Sequence, residues 1–379
     1  MDFNLTEAER LIRDTAREFA EKELKPVAGE LDRQHRFPKK PLRRLAELGM
    51  MGMTVPEADG GPGASAVAHS LVLMEVSRAC ASTGVILSVH NSLACECLVR
   101  FGKPAQKQKY LPGLIRGTVL GAFALTEPES GSDAAALKTV AVRQGDRYLL
   151  TGTKAFVTSG GRAGLILAFA TTAPERGRQG ITAFLLEPTF PGFAVGRVEE
   201  KMGLNASETV TLHLEACEVP AENRLGAEGE GFEIALTLLD GGRAGIAAQA
   251  VGIAQACLEE AVAYAKERRQ FGRPIATFQA IHHQIADMAT QVEAARLLTL
   301  RAAALKDAGR PVRVASSMAK LYASEAANRV AAAALQIHGG YGYLKDFPIE
   351  RHYRDARVLT LYEGTSEIHR LVIGRHVTA

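Results

Sequence analysis

The chain has 379 residues, 47% of them apolar and 23% charged, with a net charge of +3. That length exceeds one ordinary hydrophobic core and implies roughly two or three domains. The composition excludes a disordered chain, and so small a charge, with Lys and Arg scattered among acids, gives no ground for nucleic-acid binding.

Helical patterning opens the chain. Thr6 followed by Glu9 is a capping box, and Leu11, Ile12, Ala16 and Phe19 share one helical face until Pro26, which is predicted to interrupt the run. Further helices are expected near Pro41–Leu48, with Gly49 as a cap, then at Ala66–Arg78 after the loop Pro56–Gly63, at Val85–Phe101 and at Gln106–Leu114.

The period changes after Gly117. Val140 and Val142 alternate with polar neighbours, Gln144-Gly145-Asp146 carries turn residues before a strand at Tyr148–Leu150, and Val210, Leu212 and Leu214 alternate again. Leu165–Ala170 and Ile181–Leu186 are short apolar runs, so an antiparallel sheet or barrel is expected.

From Gly231 the Ala-, Leu-, Glu- and Arg-rich runs Phe232–Arg269, Phe278–Ala308 and Pro311–Ile337 predict long helices, with a last one from Ser366 to Gly374. The expected fold is mainly α with a central β domain. It has an N-terminal helical domain over residues 1–118, a middle β domain over 119–227 and a C-terminal four-helix bundle over 228–379.

Five cysteines, Cys80, Cys95, Cys97, Cys217 and Cys257, are odd in number and lack CxxC pairing. They read as buried hydrophobes in a reducing compartment, and no metal site is expected. The adjacent His282 and His283 point to different helix faces, which suits a surface or subunit contact better than ligation. Asn4-Leu5-Thr6 and Asn205-Ala206-Ser207 match a glycosylation acceptor pattern too short to carry meaning. Acids and bases from Asp2 onward leave no secretory pattern, and no uninterrupted apolar run is long enough for a bilayer. A cytoplasmic location without membrane association is expected.

No P-loop, strand–GxGxxG–helix unit, GxSxG elbow or HExxH is present. The informative signal is an ordered set of segments. Phe123-Ala-Leu-Thr-Glu-Pro-Glu-Ser-Gly-Ser-Asp133, Phe156-Val-Thr-Ser-Gly160, Arg268-Arg-Gln-Phe-Gly272, Gln336-Ile-His-Gly-Gly-Tyr-Gly342 and Tyr362-Glu-Gly-Thr-Ser-Glu367 together resemble the signatures of the acyl-CoA dehydrogenase family. The resemblance runs from about Leu5 to Ile373. Ser88–Leu93 and Leu239–Gly245 are most similar to its short-chain members.

The resemblance implies FAD as cofactor. Phe123, Leu125, Thr126, Ser132, Phe156 and Thr158 would serve it from the β domain, with Phe156 standing where many relatives carry Trp; this chain has none. Arg268, Phe271, Gln279, Gln336, Gly339, Gly340, Thr365 and Glu367 would complete the cofactor site, partly from an adjacent subunit of a homotetramer. Ser132, Asp240, Arg243 and Gly364 match acyl-CoA-contacting positions. Taken alone, Arg268 reads as a surface charge, Phe156 as a core aromatic and Gly339-Gly340 as a helix cap.

By the same resemblance Glu363 is the base that takes the α-proton of the thioester while hydride leaves the β-carbon for the flavin. The products would be a trans-2-enoyl-CoA and electrons destined for an electron-transferring flavoprotein. Some relatives carry the base just before the arginine of the first C-terminal helix, but here that position is Gly242, which cannot serve. By itself Glu363 reads as a turn residue, with Thr365 or Ser366 capping the last helix. Three alternatives stay open: an acyl-CoA oxidase, a relative with altered flavin chemistry, and a non-catalytic assembly protein on this scaffold.

Overall fold

Why the first helical run survives its proline is visible in the backbone. A computed structural model of the chain describes residues 4–379. Thr6 Oγ1 accepts from Glu9 N–H at 3.2 Å and Glu9 Oε2 accepts from Thr6 N–H at 2.8 Å, starting the helix Glu7–Phe19. One π-helical turn, Ala20–Leu24, then precedes the helix Lys25–Arg33, with Pro26 in its first turn. Contrary to the sequence expectation, Pro26 does not end the run: the wider turn just before it accommodates a ring and a missing N–H that a uniform α-helix would not.

Helices Lys39–Glu47, Ala66–Ala79 and Pro104–Ile115 match the predicted stretches, and Gly49 closes the first with φ 72°. The helical segment Ala81–Phe101 contains a π turn at His90–Cys95. That turn aims His90 across to the sheet. Its Nδ1 accepts from Gly121 N–H at 3.2 Å, and its Nε2 lies 3.1 Å from Leu114 O, so the ring is neutral with its proton on Nε2.

Eight strands follow: β1 Gly121–Ala124, β2 Val140–Gln144, β3 Arg147–Thr158, β4 Leu165–Thr171, β5 Ile181–Leu186, β6 Phe193–Val198, β7 Thr209–Pro220 and β8 Arg224–Leu225. They run in the order β6-β7-β3-β2-β4-β5-β8, with β1 beside β4. The sheet is mixed, not wholly antiparallel as the run of short strands suggested: β1 pairs with β4 in parallel, and β2 meets β4 in parallel at Val140 and Thr171. Strands β1, β6 and β8 had no expectation attached: β1 and β8 have only four and two residues, and β6 carries Gly196 and Arg197 within its run.

β4 and β5 read as continuous apolar runs because both faces are covered. Leu165, Leu167 and Phe169 join the core shared with the helices, whereas Ile166, Ala168 and Ala170 join a second core on the far face with Tyr148 and Phe184.

The C-terminal helices Gly231–Glu267, Gln279–Asp307 and Arg313–His338 pack side by side, and Ser366–Val377 closes against the last of them. Gly231–Glu267 also lies on Ala66–Ala79, so one helix ties the bundle to the N-terminal block. Its small residues permit that approach: a Cβ on Gly252 would lie 2.4 Å from Met74 O. Ala81–Phe101 and Gly231–Glu267 are in fact long and apolar enough to cross a bilayer, but protein covers 94% and 67% of their most apolar stretches. A short helix, Ile349–Arg357, had escaped the sequence reading because charges crowd it.

Candidate functional site

Glu363 lies between a turn at Val358–Thr360 and the helix Ser366–Val377, whose N-cap is Thr365. Its backbone is left-handed, φ 48°, and Gly364 follows at φ 93°. A non-glycine residue in that region is strained and persists only where its surroundings hold it. The turn brings the carboxylate against the long helix at Gly242, where a Cβ would lie 3.0 Å from Glu363 Oε2 and 3.2 Å from Leu93 Cδ2. The residue is half-buried, yet Oε2 is closed off from solvent and has no hydrogen-bond partner. Burial pushes the carboxyl up to about 7 against the opposing pull of Lys320 and Arg243. An orphaned carboxylate poised near neutrality is suited to taking a proton.

The cations are held separately. Arg243 donates to Asp240 Oδ1 at 2.6 Å, and Asp240 Oδ2 accepts from Arg313 Nε at 2.8 Å. Lys320 Nζ donates to Gly364 O at 2.5 Å. Three residues along the helix from Gly242 the packing is close: a Cβ on Gly245 would lie 2.6 Å from Ser88 Oγ and 3.3 Å from Ser92 Oγ and Leu73 Cδ1. Ser132 and Arg313 line one cleft with Ile368 and Leu371, and Arg313 also lines the large groove beside Asp240 and Gly241. Arg313 therefore borders both the cleft of Ser132 and, through its ion pair with Asp240, the cluster of Asp240 and Arg243.

Five predicted residues gather on the sheet. Leu125 is buried, Thr126 and Thr158 are half-buried, and Phe123 stacks at a tilt on Phe169 with 5.3 Å between ring centres. Phe156 sits in the bulge between Lys154 and Val157, where the register with β7 slips, at φ 56° and with 68% of its surface exposed. A bulge re-aims a side chain in this way. Beneath them lies a buried ion pair absent from the sequence reading, Lys154 Nζ to Glu127 Oε1 at 2.6 Å. Glu127 also accepts from Lys138 N–H at 2.6 Å and Thr139 N–H at 3.0 Å, and Lys154 donates to Leu125 O at 3.3 Å.

Arg268, Phe271, Gln279, Gln336, Gly339 and Gly340 form a second group on the C-terminal block, whereas Glu367 lies in the first turn of the last helix beside Thr365. Arg268, Gly339 and Gly340 line one cleft, none of whose walls includes Glu363 or a residue of the sheet. Arg268 stands 5.2 Å from the centre of the Tyr341 ring and has no acidic partner among the described residues. Phe271, 93% exposed, tips the hairpin of β9 Arg269–Gln270 and β10 Arg273–Pro274, while Gln279, Gln336 and Glu367 are exposed. Gly339, at φ 60°, has open space where a Cβ would stand, as does Gly340. Within one chain the two groups do not converge.

These features fit a flavin dinucleotide. Phe156 and Phe271 offer uncovered aromatic faces, Arg268 an unpaired cation, and Gly339-Gly340 a backbone open to close approach. Sequence patterns for the missed residues existed. Lys154 occupies the inward face of its strand with Leu150 and Gly152, and Lys320 falls on the buried stripe of Ser316, Ala323 and Ala327, so each is a charge on an apolar face.

Family models described as acyl-CoA dehydrogenase N-terminal, middle and C-terminal domain match residues 6–118, 122–217 and 229–378. The chain is 50% identical over 379 residues to the acryloyl-CoA reductase (NADH) of Anaerotignum propionicum, covering 100% of this chain and 96% of that protein. It is 48% identical over 373 residues to a short-chain specific acyl-CoA dehydrogenase of Clostridium acetobutylicum, covering 98% of each. Among solved structures, butyryl-CoA dehydrogenase from Megasphaera elsdenii superposes with a TM-score of 0.98 at 44% identity, over 100% of both chains.

Proposed function

The chain belongs to the acyl-CoA dehydrogenase family, and from that premise we propose that it is an FAD-dependent dehydrogenase converting short-chain acyl-CoA thioesters to trans-2-enoyl-CoA. The observation that carries the reading is the unpartnered, enclosed Oε2 of Glu363 facing Gly242, with its carboxyl poised at about 7.

Glu363 takes the α-proton. Its buried surroundings make it basic enough to do so near neutral pH, and with glycine at 242 no second carboxylate competes. Bound FAD would accept the hydride equivalent released from the β-carbon. The β-domain residues Phe123, Leu125, Thr126, Phe156 and Thr158 would hold its ring, with Ser132, Thr365 and Glu367 nearby. Arg268, Phe271, Gln279, Gln336, Gly339 and Gly340 would hold its dinucleotide arm from a neighbouring subunit. Asp240, Arg243, Ser132 and Gly364 would orient the thioester and its CoA. The similarity to a short-chain specific acyl-CoA dehydrogenase supports a short acyl chain.

The oligomer that joins the two residue groups is proposed to be a homotetramer, and the electron acceptor an electron-transferring flavoprotein. Residues 1–118, 119–227 and 228–379 are taken as its three domains. Free, buried cysteines suit a reducing compartment, here the cytoplasm.

A second reading is favoured by the identity to an acryloyl-CoA reductase. Run in reverse, protonated Glu363 would return a proton to the α-carbon of an enoyl-CoA. Anaerobic titration of the purified yellow protein with C4, C6, C8 and branched acyl-CoAs tests the first reading. Bleaching of the flavin by butyryl-CoA is expected. An oxidised flavin after butyryl-CoA, together with NADH-driven consumption of acryloyl-CoA, would favour the second.

A further inference from the structure

Lys320 is among the largest wholly buried side chains of the protein, with 0% exposure, and it makes no ion pair with any described residue. Burying an uncompensated ammonium is costly, so what it faces matters. Its single hydrogen bond, 2.5 Å from Nζ, goes to the carbonyl of Gly364, one residue beyond the carboxylate assigned as base. On the other side of that turn stands His369, fully buried. A Cβ on Gly364 would lie 3.1 Å from its Cε1 and Nε2. The two left-handed residues Glu363 and Gly364 are thus gripped between an ammonium on the carbonyl and a ring against the α-carbon.

The remaining charges around the carboxyl are already engaged. From the long helix comes Arg243, tied to Asp240 at 2.6 Å, and Asp240 is shared with Arg313 at 2.8 Å. On the helix of Lys320 itself, Glu325 is paired with Arg370 at 2.6 Å. On the last helix, Glu367 is exposed and burial keeps His369 neutral, its pKa near 3. Lys320 is the cation here whose charge meets only a neutral carbonyl. Its field acts on Glu363, whose Oε2 has no partner of its own.

We propose that Lys320 is a positioning residue for the reaction at Glu363: its ammonium pins the Gly364 carbonyl, holding the carboxylate over Gly242, and its charge favours the ionised base. This rests on the reading of Glu363 as the base. The burial of Lys320 lowers its own pKa to about 8, still above the value of about 7 for Glu363, so it is protonated through the lower half of the range in which Glu363 titrates.

The test uses the full-length, flavin-loaded protein and the rate of anaerobic flavin reduction by butyryl-CoA as a function of pH. In K320M and K320Q the limb on which the rate rises with pH is expected to move upward by about one pH unit. The rate below that limb should fall about tenfold, because a base whose pKa is higher by one is about tenfold less ionised at any pH beneath it. K320R should keep the limb near its original position. An infrared titration of the protonated carboxyl band, identified by its loss in E363Q, should show the same displacement without turnover. E363Q that reduces flavin at the original rate would remove the base assignment itself. E363Q that is inactive, with an unmoved limb in folded K320M or K320Q, overturns the role of Lys320 alone. Failure of both neutral variants to fold while K320R behaves as wild type in every assay also overturns it, in favour of a purely structural lysine.

Discussion

Gly242 faces the carboxylate of Glu363 so closely that a single added methyl carbon would lie 3.0 Å from Oε2. The glycine is needed for the approach of the carboxylate, since the long helix would be more stable with alanine there. Gly242→Ala gains about 1 kcal/mol of helix propensity. It also pushes the carboxylate aside, and small misplacements of a reacting group cost up to about 10²-fold in rate. We expect a variant that melts no lower than the parent but reduces flavin about ten- to a hundredfold more slowly. Calorimetry and stopped-flow bleaching with butyryl-CoA measure the two effects separately.

Glu363→Gln should retain FAD and acyl-CoA and lose about 10²–10⁴-fold in turnover, the ordinary loss for a missing general base. Its stability should change in a pH-dependent way. The folded carboxyl titrates at about 7 and its ordinary value is 4.5, so between those values the folded state binds the proton that the unfolded state has released. The parent therefore loses stability as pH rises through that window, and the amide does not. A pKa difference of one between the two states is worth about 1.4 kcal/mol. Partial solvent access to the residue makes the full span an upper bound. Denaturant curves at pH 5 and pH 8 should show E363Q gaining on the parent at the higher pH; parallel behaviour at both would count against a buried, neutral-pH carboxyl.

Lys154→Met leaves Glu127 buried without its cation. Removing one partner of a buried pair typically costs about 3–5 kcal/mol. Because Lys154 also donates to Leu125 O, the segment Leu125–Thr126 should shift with it. A lower melting temperature and less flavin per chain are the expected readouts. Restoring both by adding Glu127→Gln would show that the unpaired charge, not lost packing, is responsible.

Arg268→Ala removes a half-buried cation without an acidic partner among the described residues, so chain stability should change by less than about 0.5 kcal/mol. Flavin retention through dilution and gel filtration should nevertheless fall, with acyl-chain preference unchanged. Full flavin occupancy in this variant would argue that the cleft of Arg268, Gly339 and Gly340 holds something else.

Much of this architecture was legible beforehand for identifiable reasons. The capping box at Thr6, the alternation at Val210–Leu214 and the long Ala-rich runs after Gly231 are local patterns, and local patterns survive into the fold. Pro26 misled because a π turn relieved the clash that a regular helix would have imposed. The mixed sheet was hidden because strand pairing joins residues far apart in the chain: β1 and β4 are neighbours through Gly121 and Leu165.

By itself the sequence determined the three-block order of elements, which rests on local patterns, and the ordered set of segments from Phe123 to Glu367 carried the resemblance that implied the family and the candidate base. Only the tertiary structure decided that Glu363 stands against Gly242, that Lys320 and His369 grip its turn, and that Lys154 and Glu127 support the sheet residues. It also decided that Arg268 and Gly339 lie in a separate cleft. These are contacts between distant segments, fixed by packing and by the cost of leaving charges buried without partners.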